Sequence, residues 1–403
     1  MFHLASLLMT LLLALPIATS PVEVRSSPVT LPIARKLNLG GGTINLLQHD
    51  QARAAVLGNR AISSLGRRAG STPIVNEAVS YIAQVGIGSP PTTHDLIVDT
   101  GGGNTWVGPG YVETITSHNT GEPVCPTSSY SCGTEYTDTV SLGNGLTITQ
   151  QPIGVISTLT GFSGVDGILG IGPEALTLGT LTNEPNMMIP TVTQNLYTQG
   201  IISEIVVGIS FEPTNTDNAT NGELTFGGTD PTKYTGTIAY PPLTTTYPAS
   251  RFWGINESIT YGSQMILSET AGIVDTGTTL ILLASNAYSV YQSLTGATLD
   301  QTTGLLLITL TQYNALQNLN FNIGSYTYAL TPNGQIWPRS LNTYIGGSSS
   351  YIYLIVNDLG TPSGEGLDFI NGQMFLERFY YVFDTTNSRV GFATTPYTNA
   401  TTN

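Results

Sequence analysis

The sequence predicts a mostly β protein built from two similar halves, and three observations carry that reading. Short runs of Val, Ile, Thr and Tyr alternate with Gly, Asn and Asp, while long stretches of 3.6-residue periodicity are scarce. Charged residues make up only 9% of the chain, against roughly 25% in ordinary domains, and Gly, Pro, Ser and Thr take their place. Asp-Thr-Gly occurs twice in matching contexts, Leu96-Ile97-Val98-Asp99-Thr100-Gly101 and Gly272-Ile273-Val274-Asp275-Thr276-Gly277, 176 residues apart. A chain of 403 residues is long enough for two domains with sizeable cores.

In chain order, residues 1–20 read as a secretory signal peptide: Met1-Phe2-His3, an apolar run from Leu4 to Leu15, Pro16, then Ala18-Thr19-Ser20. The run is too short to span a bilayer, and no later stretch has about 18 uninterrupted apolar residues, so a secreted protein with no membrane segment is expected. Residues 21–68 read as a basic propeptide. Seven of the twelve basic residues precede position 70 (Arg25, Arg35, Lys36, Arg53, Arg60, Arg67 and Arg68), with only Glu23 and Asp50 opposing them. The remainder carries a formal charge of −19, so the leader is expected to dock on the body electrostatically. Nucleic acid is excluded as a partner for so acidic a body. Arg67-Arg68, where the composition changes, is a candidate processing site.

The halves then fall at 69–240 and 241–403. In each, an apolar strand ends in Asp-Thr-Gly. Each is followed by an apolar run ending in Gly: Asp166-Gly167-Ile168-Leu169-Gly170-Ile171-Gly172 in one and Leu367-Asp368-Phe369-Ile370-Asn371-Gly372 in the other. Gly at those ends would let another backbone approach closely. Ile189–Gly200 and Ala284–Leu294 are the best helix candidates. Carboxylates on equivalent turns of two similar halves can meet across a pseudo-two-fold axis. Two carboxyl groups that close cannot both ionise easily, so one keeps a proton while the other acts as a base.

Cys125 and Cys132 are the only cysteines, and an even pair in a secreted chain implies a disulfide. Two cysteines cannot complete a tetrahedral zinc site, and only His94 and His118 follow the leader, so neither metal nor cofactor is expected. Asn218, Asn256 and Asn399 begin glycosylation sequons.

These residues resemble the pepsin-like aspartic proteases over the whole region after the leader. The resemblance runs through Tyr81 to Gly88-Ser89-Pro90, Asp99-Thr100-Gly101, Asn104-Thr105-Trp106-Val107-Gly108 and Gly133-Thr134-Glu135-Tyr136-Thr137-Asp138. It continues in Asn221-Gly222-Glu223-Leu224-Thr225-Phe226-Gly227, Asp275-Thr276-Gly277-Thr278-Thr279, Gln335-Ile336-Trp337-Pro338-Arg339 and Phe375-Leu376-Glu377-Arg378-Phe379-Tyr380. It implies a bilobal pepsin-like β fold with a central cleft, and a monomeric acid endopeptidase acting on proteins and peptides and sensitive to pepstatin-type inhibitors. It also implies that Asp99 and Asp275 activate a water. Thr100 and Thr276 would then cross-link the two loops, Gly101 and Gly277 would bring backbone N–H groups to the carboxylates, and Thr278 would bond its own Asp. The leader resembles the family's inhibitory propeptide. Leu31-Pro32-Ile33-Ala34-Arg35-Lys36-Leu37 looks like the segment whose cation occupies the Asp pair, with Lys36 as the blocking residue and Arg35 next.

Two departures stand out. Gly102 replaces the Ser that usually follows the first Asp-Thr-Gly, so the support of the pair should be asymmetric. The flap that covers the family's cleft carries a Tyr near a Tyr-Gly-x-Gly turn; here Pro126 stands at that place, Cys125 and Cys132 bracket it, and Tyr130 is the nearest aromatic. Trp106 matches the tryptophan behind the flap. A catalytically weak or inactive pepsin-fold protein that binds peptides is the alternative to an active protease.

Overall fold

The computed structural model describes residues 27–37, 45–63, 79–126, 132–157 and 164–403. The expected signal segment, Arg67-Arg68 and Tyr130 lie outside them. Strands dominate and form sheets of thirteen, seven and three strands.

The duplication read from the sequence appears as a repeated local arrangement. Thr92–Asp99 runs antiparallel to Val79–Ile87 and parallel to Gly167–Gly170, with Asp99 opposite Gly170. In the second half, Gln264–Val274 runs antiparallel to Gly254–Tyr261 and parallel to Phe369–Asn371, with Val274 opposite Asn371. Each Asp loop is therefore held from behind by the later apolar run. The terminal glycines are needed for that approach: a Cβ on Gly170 would collide with the Asn104 carbonyl, and one on Gly372 with that of Leu280.

The halves share a sheet. Val206–Phe211 pairs with Asn218–Phe226 on one side and Phe379–Asp384 on the other, and Arg389–Thr394 follows. The last strands thus return to the N-terminal half. A main apolar core runs through both halves, taking in Val98 and Leu169 as well as Ile273 and Phe369. Trp106 is buried in a smaller cluster with Ile82, Ile97, Ile156, Val165 and Ile168.

Leader residues are part of this architecture. Val29–Leu37 is a strand inserted between Asn218–Phe226 and Val79–Ile87. Its period-2 pattern buries Val29, Leu31, Ile33, Arg35 and Leu37 and turns Lys36 to the other face. The two expected helices occur as Val192–Thr198, capped by the Thr191 side chain, and Ser285–Thr295, closed by left-handed Gly296. A third helix, Leu46–Ser63, was not expected from the sequence. Its buried Leu46, Asp50, Ala54 and Leu57 recur at three- and four-residue spacing.

Candidate active site

The two Asp-Thr-Gly loops meet. Thr100 N–H donates to the Thr276 hydroxyl and Thr276 N–H to the Thr100 hydroxyl, both at 3.0 Å. The Thr276 hydroxyl also donates to the Val98 carbonyl at 2.8 Å. This reciprocal pair fixes the loops against each other at the base of the site, and both threonines are buried.

The carboxylates stand just beyond it, Asp99 4% exposed and Asp275 fully buried. Gly101 N–H donates to Asp99 Oδ1 at 2.8 Å and Gly277 N–H to Asp275 Oδ1 at 3.3 Å. The Thr278 hydroxyl donates to Asp275 Oδ2 at 2.6 Å. Asp99 Oδ2 accepts no hydrogen bond among the described residues, because Gly102 brings no hydroxyl. A Cβ at 102 would lie only 2.8 Å from that oxygen, so this loop conformation leaves no room for a side chain there without a shift. The asymmetry expected from Gly102 is therefore present in the geometry.

A guanidinium bridges the pair. Arg53 Nη2 donates to Asp99 Oδ1 at 2.5 Å and to Asp275 Oδ1 at 2.9 Å, and Nε donates to Asp275 Oδ2 at 2.7 Å. The two Oδ1 atoms can be no farther apart than those two Nη2 bonds laid end to end. Burial alone would raise the Asp275 carboxyl. The Arg53 charge and hydrogen bonds, the Thr278 hydroxyl and the Gly277 N–H outweigh it and hold the group below the ordinary carboxylate range.

This corrects the expectation for the leader cation. Lys36 donates to the Gly164 carbonyl at 2.8 Å, and Arg35 is buried beside Glu377 with Nε 3.5 Å from Oε1. Alternation along the strand explains both: the segment resembling the inhibitory motif is absorbed into the sheet. The cation that meets both carboxylates lies on the helix instead. Its neighbour Asp50, one turn earlier and fully buried, accepts from Thr279 N–H at 3.1 Å and Leu280 N–H at 2.7 Å. The helix therefore holds the second loop by a cation on its carboxylate and an anion on its backbone.

Cys125 and Cys132 form the disulfide. They bracket the tip of the antiparallel pair His118–Val124 and Gly133–Gly143. Pro126 is buried, and a Cβ on Gly154 would lie 3.3 Å from Pro126 Cγ and 3.1 Å from Trp106 Cβ, so proline and tryptophan line one strand from the same side. Asn218, Asn256 and Asn399 are all exposed.

The family description "Eukaryotic aspartyl protease" matches residues 80–395. Polyporopepsin of Irpex lacteus is 59% identical over 340 residues, covering 83% of this chain and all of that protein. Gastricsin of Callithrix jacchus is 29% identical over 86% of this chain and 88% of that one. The crystal structure of the aspartic proteinase from Irpex lacteus superposes with a TM-score of 0.80 and 52% identity, over 94% of this chain and all of the other.

Proposed function

Because the chain belongs to the eukaryotic aspartyl proteases and is an aspartic-type endopeptidase, we propose that Asp99 and Asp275 are its catalytic pair and that the leader silences them through Arg53. The observation that carries this is one guanidinium hydrogen-bonded to both carboxylates. A cation there keeps both groups ionised and occupies the place a reacting water needs.

With Arg53 withdrawn, the pair shares a proton, the behaviour established for this family's carboxylate pairs. The ionised Asp accepts a proton from water as its oxygen attacks the peptide carbonyl. The protonated Asp polarises that carbonyl and then supplies a proton to the departing amine. These roles belong to the pair rather than to one residue. Thr100 and Thr276 hold the loops in register, and Gly101, Gly277 and Thr278 orient the carboxylates.

The protein is made as a secreted precursor: residues 1–20 direct export, 21–68 form the propeptide, and 69–240 and 241–403 are the catalytic lobes. The polyporopepsin match supports this boundary. It spans all of that protein yet leaves unmatched a share of this chain about as long as the stretch up to Arg68. The exposed sequon asparagines suit a glycosylated product. The enzyme acts as a monomer on protein and peptide substrates and takes pepstatin-type inhibitors in the same cleft.

The test is to sequence the N-terminus of the secreted protein and incubate it with unfolded protein at about pH 3–5, where a carboxylate pair can share a proton. Cleavage stopped by pepstatin, and absent in folded Asp99→Asn and Asp275→Asn, is expected. Substantial activity in either variant would reject the pair. A terminus well upstream of Ala61 on an active protein would reject the processing site.

A further inference from the structure

We propose that Glu257 is a positioning residue for the second Asp loop: as a neutral acid it closes a two-bond ring with the Asn371 amide, directly behind Asp275, and steadies the loop only while it keeps its proton. This rests on the reading of Asp275 as one of the catalytic pair, although the Glu257 side chain hydrogen-bonds to Asn371 and not to either carboxylate of that pair.

The two halves can be matched position by position. Leu169 stands opposite Val98 in the first half, and Asn371 opposite Val274 in the second. Ile82 stands opposite Ile97, and Gly254 opposite Ile273. Three residues along those partner strands come Val85 in one half and Glu257 in the other. Val85 and Leu169 are fully buried and apolar, whereas Glu257 and Asn371 are fully buried and polar. The fold therefore needs no polar side chain at either place. A buried polar pair is tolerated only when its bonds are complete, and what it adds is direction.

Asn371 Nδ2 donates to Glu257 Oε2 at 3.0 Å. Glu257 Oε1 and Asn371 Oδ1 are both buried, and neither meets a donor among the described residues. Two acceptors cannot serve each other. A proton on Oε1 makes it a donor to Oδ1 and satisfies both oxygens at once. Ionised, the same carboxylate would stay buried with one bond and no cation. The charged groups on the elements packed against it are turned elsewhere. Glu269, on the neighbouring strand, is exposed. Asp368 accepts from the Gly364 and Glu365 N–H groups, and Arg251 donates to the Ala175 carbonyl. The strand on the other side, Leu319–Ile323, carries no charge. Burial therefore acts on Glu257 with only the Asn371 bond opposing it. The backbone of Asn371 connects this pair to the site. Its carbonyl accepts from Asp275 N–H at 3.1 Å. It stands opposite Val274 on the strand entering the loop and opposite Ile281 on the strand leaving it. Two bonds to the amide fix Asn371 between those strands; one bond lets it turn and carry the Asp275 N–H with it.

The proton is tested by infrared difference spectra of the full-length precursor, wild type minus Glu257→Gln, at about pH 6.5, where an ordinary Glu is ionised. A neutral-carboxyl band present in the wild type and lost in the variant is expected, and its absence would overturn the ring. Positioning is read on processed enzyme at about pH 4, as kcat per pepstatin-titrated site, so that unfolded protein does not count. Glu257→Val leaves the Asn371 amide unpaired and should lower kcat about tenfold with KM changed by less than about twofold, as misplacement of a reacting group does. Glu257→Gln offers Asn371 the same donor and acceptor and should keep kcat. Glu257→Val/Asn371→Leu, which installs the apolar pair of the first half, should recover it. An unchanged kcat in Glu257→Val, or a fall as large in Glu257→Gln, would overturn the positioning role. If Glu257→Val yields no folded enzyme, Asn371→Leu, which strands Glu257 instead, takes its place with the same two outcomes. The infrared band does not depend on activity, and Asp275→Asn tests the catalytic pair by itself, so the two readings fail separately.

Discussion

Asp99 and Asp275 were legible because the chain spells their loop twice, whereas Arg53 was hidden. Nothing in its neighbourhood marks it except helical spacing, and the motif that resembles an inhibitory segment lies elsewhere, at Leu31 to Leu37. The strand geometry separates the candidates cleanly, so they can be told apart by substitution. Arg53→Met removes the cation that offsets two adjacent carboxylates, and should weaken seating of the helix by roughly 3–5 kcal/mol, the usual cost of breaking a buried pair. The unprocessed variant should then cleave a small peptide at acid pH, where the wild-type precursor does not. Lys36→Ala, which loses only a bond to the Gly164 carbonyl, should leave the precursor silent. Equal behaviour of the two variants in a stopped assay on unprocessed protein would contradict the assignment.

At the scale of elements, periodicity predicted the strands and two helices but missed Leu46–Ser63. The strand entering each Asp loop, and the apolar run pairing behind it, could be read from Ile-Val runs and terminal glycines. Leu46–Ser63 was missed because its apolar face is narrow and is completed by polar residues, the buried Asp50 and the partly exposed Arg53, which meet partners in the cleft. The inserted strand Val29–Leu37 shows the same limit. Arg35 lies on its apolar face and is neutralised by Glu377, which also accepts from Tyr81 OH at 3.3 Å. Arg35→Met or Glu377→Met alone leaves a buried charge and should destabilise the precursor at neutral pH by about 3–5 kcal/mol; the double variant should recover most of that. Urea unfolding of the four proteins measures the coupling, and additive losses would show that the pair does not act as one. The flap offers a separate test. Its tip is tied by Cys125–Cys132 in place of turn glycines, and in the chain-entropy account a tie across so short a loop contributes about 2–3 kcal/mol by limiting the unfolded chain. Cys125→Ser/Cys132→Ser should therefore relieve a restriction on long substrates more than on short ones. Unchanged kcat/KM for both lengths would make the bond a structural staple only.

At the scale of the whole molecule, acidity is built into the core as well as the surface. The −14 formal charge could be read directly from the sequence, but the burial of particular carboxyl groups could not, since it depends on which strands meet. Glu257 is fully buried on the strand Gly254–Tyr261. It accepts from Asn371 Nδ2 at 3.0 Å, while its other oxygen has no partner among the described residues. Burial pushes its pKa up to about 8, although the Asn371 bond opposes this. Burial raises Glu377 as well, against the pull of Arg35 and Arg378. The folded protein therefore binds these protons more tightly than the unfolded chain does. The resulting stability is complete below the ordinary Glu value of 4.5, erodes as pH rises above it, and for Glu257 is gone once pH passes about 8. Asp138 works in the opposite sense. Burial raises it, but bonds from Thr116, Ser117, Tyr111 and the Thr139 N–H lower it further, so its contribution is lost only as pH falls below the ordinary Asp range. The melting temperature should accordingly fall between about pH 5 and pH 8, and Glu257→Gln, which keeps an acceptor for Asn371 without a proton to lose, should flatten that decline. Thermal unfolding of both proteins across this interval is the measurement. Parallel curves would mean that Glu257 does not drive the loss, and that self-repulsion of the acidic surface, which salt would relieve, is its source.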